Sequence, residues 1–251
     1  MKLIDIHCHI DIYDHEIGKI KQIVKRAKEK GVGIIVNNGV DIKSNRKTLK
    51  LSEKFPEIKA AIGLYPINAL SMNDREIDKE LKFVEENKDK IVMIGEIGID
   101  LRESNNLGGQ VINFEKLIKI AMKINLPAAV HSRNAEEECI EVLEKLGAKK
   151  VIMHCFSGGM ELVKRIAGNG WFLSIPSSVK YNEHFQKIVE IVSLENLFCE
   201  TDSPYLHPNK EKDNEPANVI DGYKKIAEIK CLSLKEIADK VWENWERLIY
   251  S

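Results

Sequence analysis

Eight short apolar runs of strand length alternate with helical patterns along the chain, and few architectures accept that rhythm. The runs cover residues 3–9, 33–37, 59–63, 91–96, 127–131, 151–154, 171–175 and 197–200. Between them, apolar residues recur at helical spacing. Ile17, Ile20, Ile23, Val24 and Ala27 lead up to Gly31, and Leu49, Leu51 and Phe55 lie in a helix expected over 42–55. Further helices pass through Leu81, Phe83 and Val84, and, after a polar loop at 104–109, through Phe114, Leu117, Ile118 and Ala121. Others cover 136–146 and 162–167, pass through Phe185, Ile188 and Val189, and continue from Ala217 onward. Strands this apolar are buried on both faces, as in a parallel sheet covered by helices. The count of eight favours a closed TIM (β/α)8 barrel over an open doubly wound sheet. Residues 1–251 are expected to form a single α/β domain of this kind, with 43% hydrophobic content to fill its core. No G-x-G-x-x-G or Walker A motif is present, which removes the usual nucleotide-binding reading of an open sheet.

The bulk chemistry excludes several classes. With 38 basic and 39 acidic residues the formal charge is -1, which argues against a chain that coats duplex DNA by bulk electrostatics. Five cysteines (Cys8, Cys139, Cys155, Cys199 and Cys231) form no C-x-x-C pair, so no disulfide framework is expected and a reducing, cytoplasmic setting is favoured. The first residues enter a strand directly, with no signal-peptide pattern, and no run is long enough to span a bilayer. No membrane and no protein partner is expected.

The polar residues that interrupt the apolar strands fall at strand C-terminal ends. His7 and His9 lie two residues apart in a strand and so point the same way. Glu96 ends the fourth strand between Gly95 and Gly98, His131 the fifth and His154 the sixth; Glu200 and Asp202 follow the eighth. In a barrel these ends converge on one face, where barrel active sites lie. Each residue has an ordinary structural role open to it: Glu96 as a cap, His131 and His154 as core histidines, Asp202 as a turn residue before Ser203-Pro204. Convergence of His7, His9, Glu96, His131, His154 and Asp202 points instead to one or two divalent ions. The ligands exceed what one tetrahedral zinc requires, and a pair of ions bridged by Glu96 would use them all. His15, His184 and His207 fall off the strand ends and are given no role.

Several motifs together resemble a known family. They are Asp5-Ile6-His7-Cys8-His9, Gly95-Glu96-Ile97-Gly98-Ile99-Asp100, His131-Ser132-Arg133-Asn134-Ala135, His154-Cys155-Phe156-Ser157-Gly158, Glu200-Thr201-Asp202-Ser203-Pro204-Tyr205-Leu206 and Asn214-Glu215-Pro216-Ala217. In this order, over nearly the whole chain, they are similar to the TatD-type DNases of the metallo-dependent hydrolase superfamily. The resemblance implies a TIM barrel with two divalent ions (Mg, Mn or Zn) and hydrolysis of DNA by a two-metal-activated hydroxide, often exonucleolytic. It implies that His7, His9 and Asp202 hold the first ion, that His131 and His154 hold the second, and that Glu96 bridges. Asp202 is the expected general base. Asp5 and Glu200 share strand faces with His9 and Asp202 and are expected to orient them. Arg133 is a candidate phosphate contact, with a buried ion pair as its equal alternative.

The chain departs from the family in two places. Where the family carries histidine in a Gly-x-His-Pro turn, this chain has Gly63-Leu64-Tyr65-Pro66, and Tyr65 is a candidate for stacking on a substrate base. Before Asn214 the stretch Asn209-Lys210-Glu211-Lys212-Asp213 replaces the usual arginine and glycine. Both changes touch substrate handling. The substrate that the resemblance implies is DNA, expected as single strands or 3′ ends. The alternatives are an amidohydrolase or aminoacyl ester hydrolase acting at the same ions, or a non-catalytic metal-binding adaptor.

Overall fold

In the computed structural model, which describes residues 2–13, 16–210 and 213–250, eight parallel strands run in the order of the chain around one sheet. The strands are β1 (Leu3–Cys8), β2 (Val32–Asn38), β3 (Ile58–Ile62), β4 (Ile91–Asp100), β5 (Ala128–Arg133), β6 (Val151–His154), β7 (Phe172–Pro176) and β8 (Leu197–Glu200). The connecting helices are α1 (Ile17–Glu29), α2 (Ile42–Lys54), α3 (Pro66–Leu70), α4 (Asp74–Glu86), α5 (Leu107–Lys123), α6 (Glu136–Leu146), α7 (Met160–Gly168) and α8 (Glu183–Ile191), with α9 (Val219–Lys230) and α10 (Leu234–Tyr250) after the last strand. The expected (β/α)8 barrel is the observed one. Among the described residues, no helix is long and apolar enough to cross a membrane.

Local chemistry sets the helix ends. Asp41 and Ser44 form a reciprocal capping box at the start of α2, and Asn73 and Glu76 do the same for α4. Gly147, at φ 70°, takes the left-handed turn that ends α6. Each helix then buries one stripe. In α10 this stripe is Ile237, Ala238, Val241, Trp245 and Leu248, spaced to pack as one face against the sheet. All residues of β1, β6, β7 and β8 are buried, as strands between a barrel interior and a helical layer must be.

The barrel closes differently from the way its other strands pair. Near the C-terminal end of the seam, Asp202 N donates to His7 O at 2.9 Å and His9 N to Ser203 O at 2.7 Å. Lower down, side chains replace the ladder. The Asp5 carboxylate accepts Thr201 N at 2.8 Å and Thr201 Oγ1 at 2.6 Å. The Tyr223 hydroxyl, from α9, accepts Ile4 N at 3.0 Å and donates to Ile4 O at 3.1 Å. A fully buried phenol thus satisfies two backbone groups that have no strand partner there.

Two boundaries differ from the sequence reading in ways that matter. The fourth strand does not end at Glu96 but continues to Asp100, because Ile97, Gly98, Ile99 and Asp100 go on pairing with Val130, His131, Ser132 and Arg133. The register shifts between Ile94 and Ile97, so Glu96 sits in a bulge within a long strand. The short helix α3 was not expected: Pro66 starts it, directly after the Tyr65 turn.

Replacing Tyr223 by Phe removes only the hydroxyl and leaves Ile4 N–H and C=O buried without their partner. The expected loss is about 1–3 kcal/mol of unfolding free energy. Urea denaturation should show the shifted midpoint with an unchanged slope.

Candidate metal centre

The site is built around one carboxylate. Glu96 is almost wholly buried, and its two oxygens face two pairs of imidazoles. Oε2 lies 3.5 Å from His7 Nε2 and 3.3 Å from His9 Nε2. Oε1 lies 2.9 Å from His131 Nδ1 and 3.5 Å from His154 Nε2. Asp202 Oδ1 closes the first group at 3.5 Å from His9 Nε2 and 3.9 Å from His7 Nε2. The structure therefore brings together all six residues expected as ligands. Their ligating atoms fall into overlapping triads within 4.8 Å of one another: His7, His9 and Glu96; Glu96, His131 and His154; and His7, His154 and Asp202.

The backbone at Gly95 and Gly98, on either side of Glu96, leaves no room for a side chain. A Cβ on Gly95 would lie 2.7 Å from Ala129 Cβ, and one on Gly98 would lie 1.9 Å from His131 O. Gly98 also holds φ at 146°, a region that other residues rarely adopt. These two glycines let β4 press against β5, so that Glu96 and His131 meet.

Three of the four imidazoles, those of His9, His154 and His131, are oriented from behind. His9 Nδ1 meets the carbonyl of Asn38 at 2.9 Å. His154 Nδ1 lies 3.4 Å from the Glu200 carboxylate, which also accepts from Ser174 Oγ at 2.5 Å. His131 Nε2 lies 3.0 Å from Asp100 Oδ2. Glu200, expected to orient Asp202, thus backs His154 instead, and Asp5, expected to orient His9, reaches Thr201 and not an imidazole. Asp100 was missed. The signal available was an acidic residue ending an otherwise apolar run, two residues from Gly98, but nothing in the sequence named its partner.

Charge inside the site is strongly redistributed. Burial pushes the Glu96 carboxyl up, but hydrogen bonds from His131, His154, His7 and His9 outweigh burial and hold it well below the usual carboxylate range. Burial and the adjacent His154 push His7 down to about 3, so its imidazole is neutral at pH 7. Burial also lowers His9, His131 and His154, yet the carboxylates facing them reverse the sign and raise all three. Burial raises Asp202, and the bond to His9 with the charges of His154 and its neighbours brings it below its ordinary value.

The donor set fits divalent ions. His7 Nε2 and His9 Nε2 stand 3.1 Å apart and both face the same Glu96 oxygen, a convergence of nitrogen and oxygen donors suited to a cation. Neutral imidazoles with carboxylates suit zinc or manganese, and the carboxylates also suit magnesium with retained water.

The centre opens into a cleft of about 860 Å³ whose lining includes His9, Glu96, His131, His154 and Asp202. Ile12 and Tyr205, both exposed, form part of its wall beside the first group, while Arg102 and Arg133 lie near His131. Arg133 is exposed and 4.0 Å from Glu103, so the buried-ion-pair alternative for it is wrong: β5 ends there and delivers the guanidinium to solvent. Tyr65 lines the cleft and gives its hydroxyl to Asp100 Oδ2 at 2.5 Å. His184 bonds to Phe156 O and His207 to Asn209 N, neither among the ligands. His15, Glu211 and Lys212 lie outside the described residues.

Gly98→Ala is expected to cost at least about 1–3 kcal/mol, since the new methyl meets backbone at a strained φ. Gly108→Ala, in open space near the start of α5, is expected to leave stability unchanged or raise it by up to about 1 kcal/mol. Paired thermal melts of the two variants test whether close β4–β5 approach, and not glycine content as such, holds the site.

Comparison with known proteins adds family context. The family model described as TatD related DNase matches residues 4–250. An uncharacterized metal-dependent hydrolase of Methanocaldococcus jannaschii is 35% identical over 245 residues, covering 97% of this chain and 95% of that protein. The human deoxyribonuclease TATDN3 is 30% identical over 256 residues, covering 96% and 92%. Among solved structures, the TatD homologue YJJV of Escherichia coli K12 superposes with a TM-score of 0.92 at 24% identity, covering 99% of this chain and 98% of that one.

Proposed function

This chain belongs to the TatD-related DNase family of metal-dependent hydrolases, and from that premise we propose that it is a deoxyribonuclease that removes nucleotides from DNA ends with two divalent ions. The observation that carries the reading is the division of Glu96, with one oxygen toward His7 and His9 and the other toward His131 and His154. His7, His9 and Asp202 would hold one ion and His131 and His154 a second, with Glu96 shared between them. Magnesium, manganese or zinc held there supplies Lewis acidity toward a phosphoryl oxygen and makes water a stronger acid.

The chain's own groups do the rest. Asp202 faces the cleft as an ionised carboxylate and accepts the proton of the attacking water as general base. Arg133 offers a planar fork to phosphate oxygens at the cleft mouth. Tyr205, with its ring centroid 6.3 Å from that of His9, offers a face on which a terminal base can stack. The formal charge of -1 and a cleft of about 860 Å³ suit a single strand or a frayed 3′ end better than a tract of duplex. The five cysteines are all free, which suits the reducing environment of the cytoplasm.

End-labelled single-stranded DNA, incubated with each of the three metals, tests the reading. Wild type is expected to release short products from the labelled end and to leave circular single strands intact. Asp202→Asn should lower kcat by about 10²–10⁴-fold, as loss of a general base does. His154→Ala should also lower it. Wild-type cleavage no faster than that of both variants would overturn the nuclease assignment. Turnover of amides or aminoacyl esters with inert DNA would move the activity to that bond class.

A further inference from the structure

His131 differs from the other three histidines of the centre. His7, His9 and His154 present Nε2 to Glu96, whereas His131 presents Nδ1, at 2.9 Å. Its Nε2 points away, to Asp100 Oδ2 at 3.0 Å. That carboxylate is fully buried and surrounded by donors. Oδ2 accepts from Tyr65 Oη as well as from His131. Oδ1 accepts the backbone N–H groups of Arg102 at 2.9 Å and Glu103 at 3.0 Å. The backbone of Asp100 is fixed in turn by Gln110, which accepts Asp100 N at 2.7 Å and donates to Asp100 O at 3.1 Å.

An ionised carboxylate accepts and does not donate, so the nitrogen of His131 that faces it must carry the proton. The other nitrogen, Nδ1, faces Glu96 and offers its lone pair once an ion takes the place of the proton shared there. A neutral imidazole with Nδ1 free is the form able to hold an ion beside Glu96. Tyr65 closes the arrangement from the cleft side. Without its hydroxyl, Oδ2 loses one of its two donors and is held less firmly toward His131.

We propose that Asp100 and Tyr65 are positioning residues that fix His131 as the Nε2–H tautomer, so that Nδ1 faces the second ion. The inference rests on the two-ion reading of the site. It also gives the tyrosine of the Gly63-Leu64-Tyr65-Pro66 turn a role that acts through a ligand and not through a substrate base. Carboxylates placed behind metal-binding imidazoles orient the ring and raise its basicity, and removing them typically weakens metal binding by about 10–100-fold.

Two measurements on the full chain test this without any substrate. The first is calorimetric titration of metal-free protein with manganese(II) alone. Wild type is expected to bind two ions and His131→Ala one. Asp100→Asn should keep two, with one step about 10–100-fold weaker. Tyr65→Phe should weaken that same step by less and leave the other unchanged. The second is the long-range 1H–15N spectrum of histidine-labelled, metal-free protein at a pH where the imidazoles are neutral. His131 should show a protonated Nε2 in wild type and a mixed tautomer in Asp100→Asn. Wild-type affinities and an unchanged tautomer in Tyr65→Phe and in any folded Asp100→Asn would overturn the positioning role. If His131→Ala binds as many ions as wild type, the two-ion reading itself fails, an outcome distinct from the first.

Discussion

A carboxylate removed from water needs compensating partners, and Glu96 sets the terms for everything around it. Among the described residues its partners are imidazoles, two on each oxygen. Leaving a buried charge unpaired costs several kcal/mol or more, on the order of what a whole domain has in reserve. The histidines therefore cannot be arranged for catalysis alone; they must also satisfy this charge. Divalent ions meet the same need more strongly, which is why a site of this composition is suited to taking up cations.

The barrel makes the arrangement possible by bringing distant residues to one end. His7 comes from β1 and His9 from just beyond it, Asp202 from just beyond β8, and the two segments meet only because the seam closes there through Asp202 N and His9 N. The lower seam is held by Asp5 and Tyr223, side chains that stand in for a missing ladder. The same residues that close the fold thus set the spacing of the first group of ligands. The second group depends on β4 and β5, where Gly95 and Gly98 permit an approach that any Cβ would prevent. Behind both groups stands a second layer of fixed acceptors: Asn38 O for His9, Glu200 for His154 and Asp100 for His131.

Much of this was readable from the chain. Strand periodicity placed His7 and His9 on one face, and the alternation of strands and helices placed Glu96, His131, His154 and Asp202 at one end of a barrel. What could not be read depends on registers and long-range closure. The bulge at Glu96 breaks the alternation, so the fourth strand looked finished six residues after it began, although Ile97 to Asp100 continue it. The pairing of Asp100 with His131 crosses 31 residues and requires β4 and β5 to be aligned to within one residue. Tyr223 meets Ile4 across 219 residues, and nothing local to either marks the contact. Asp5 shares a strand face with His9, but the alternation rule carries no information on which neighbour along the seam its carboxylate will choose.

The central claim is that Glu96 divides two ion positions. Anomalous diffraction from crystals grown with manganese tests it most directly. Two peaks are predicted, one among His7, His9 and Asp202, the other beside His131 Nδ1 and His154 Nε2, with one oxygen of Glu96 toward each. A single peak, or peaks that do not flank Glu96, would contradict the account.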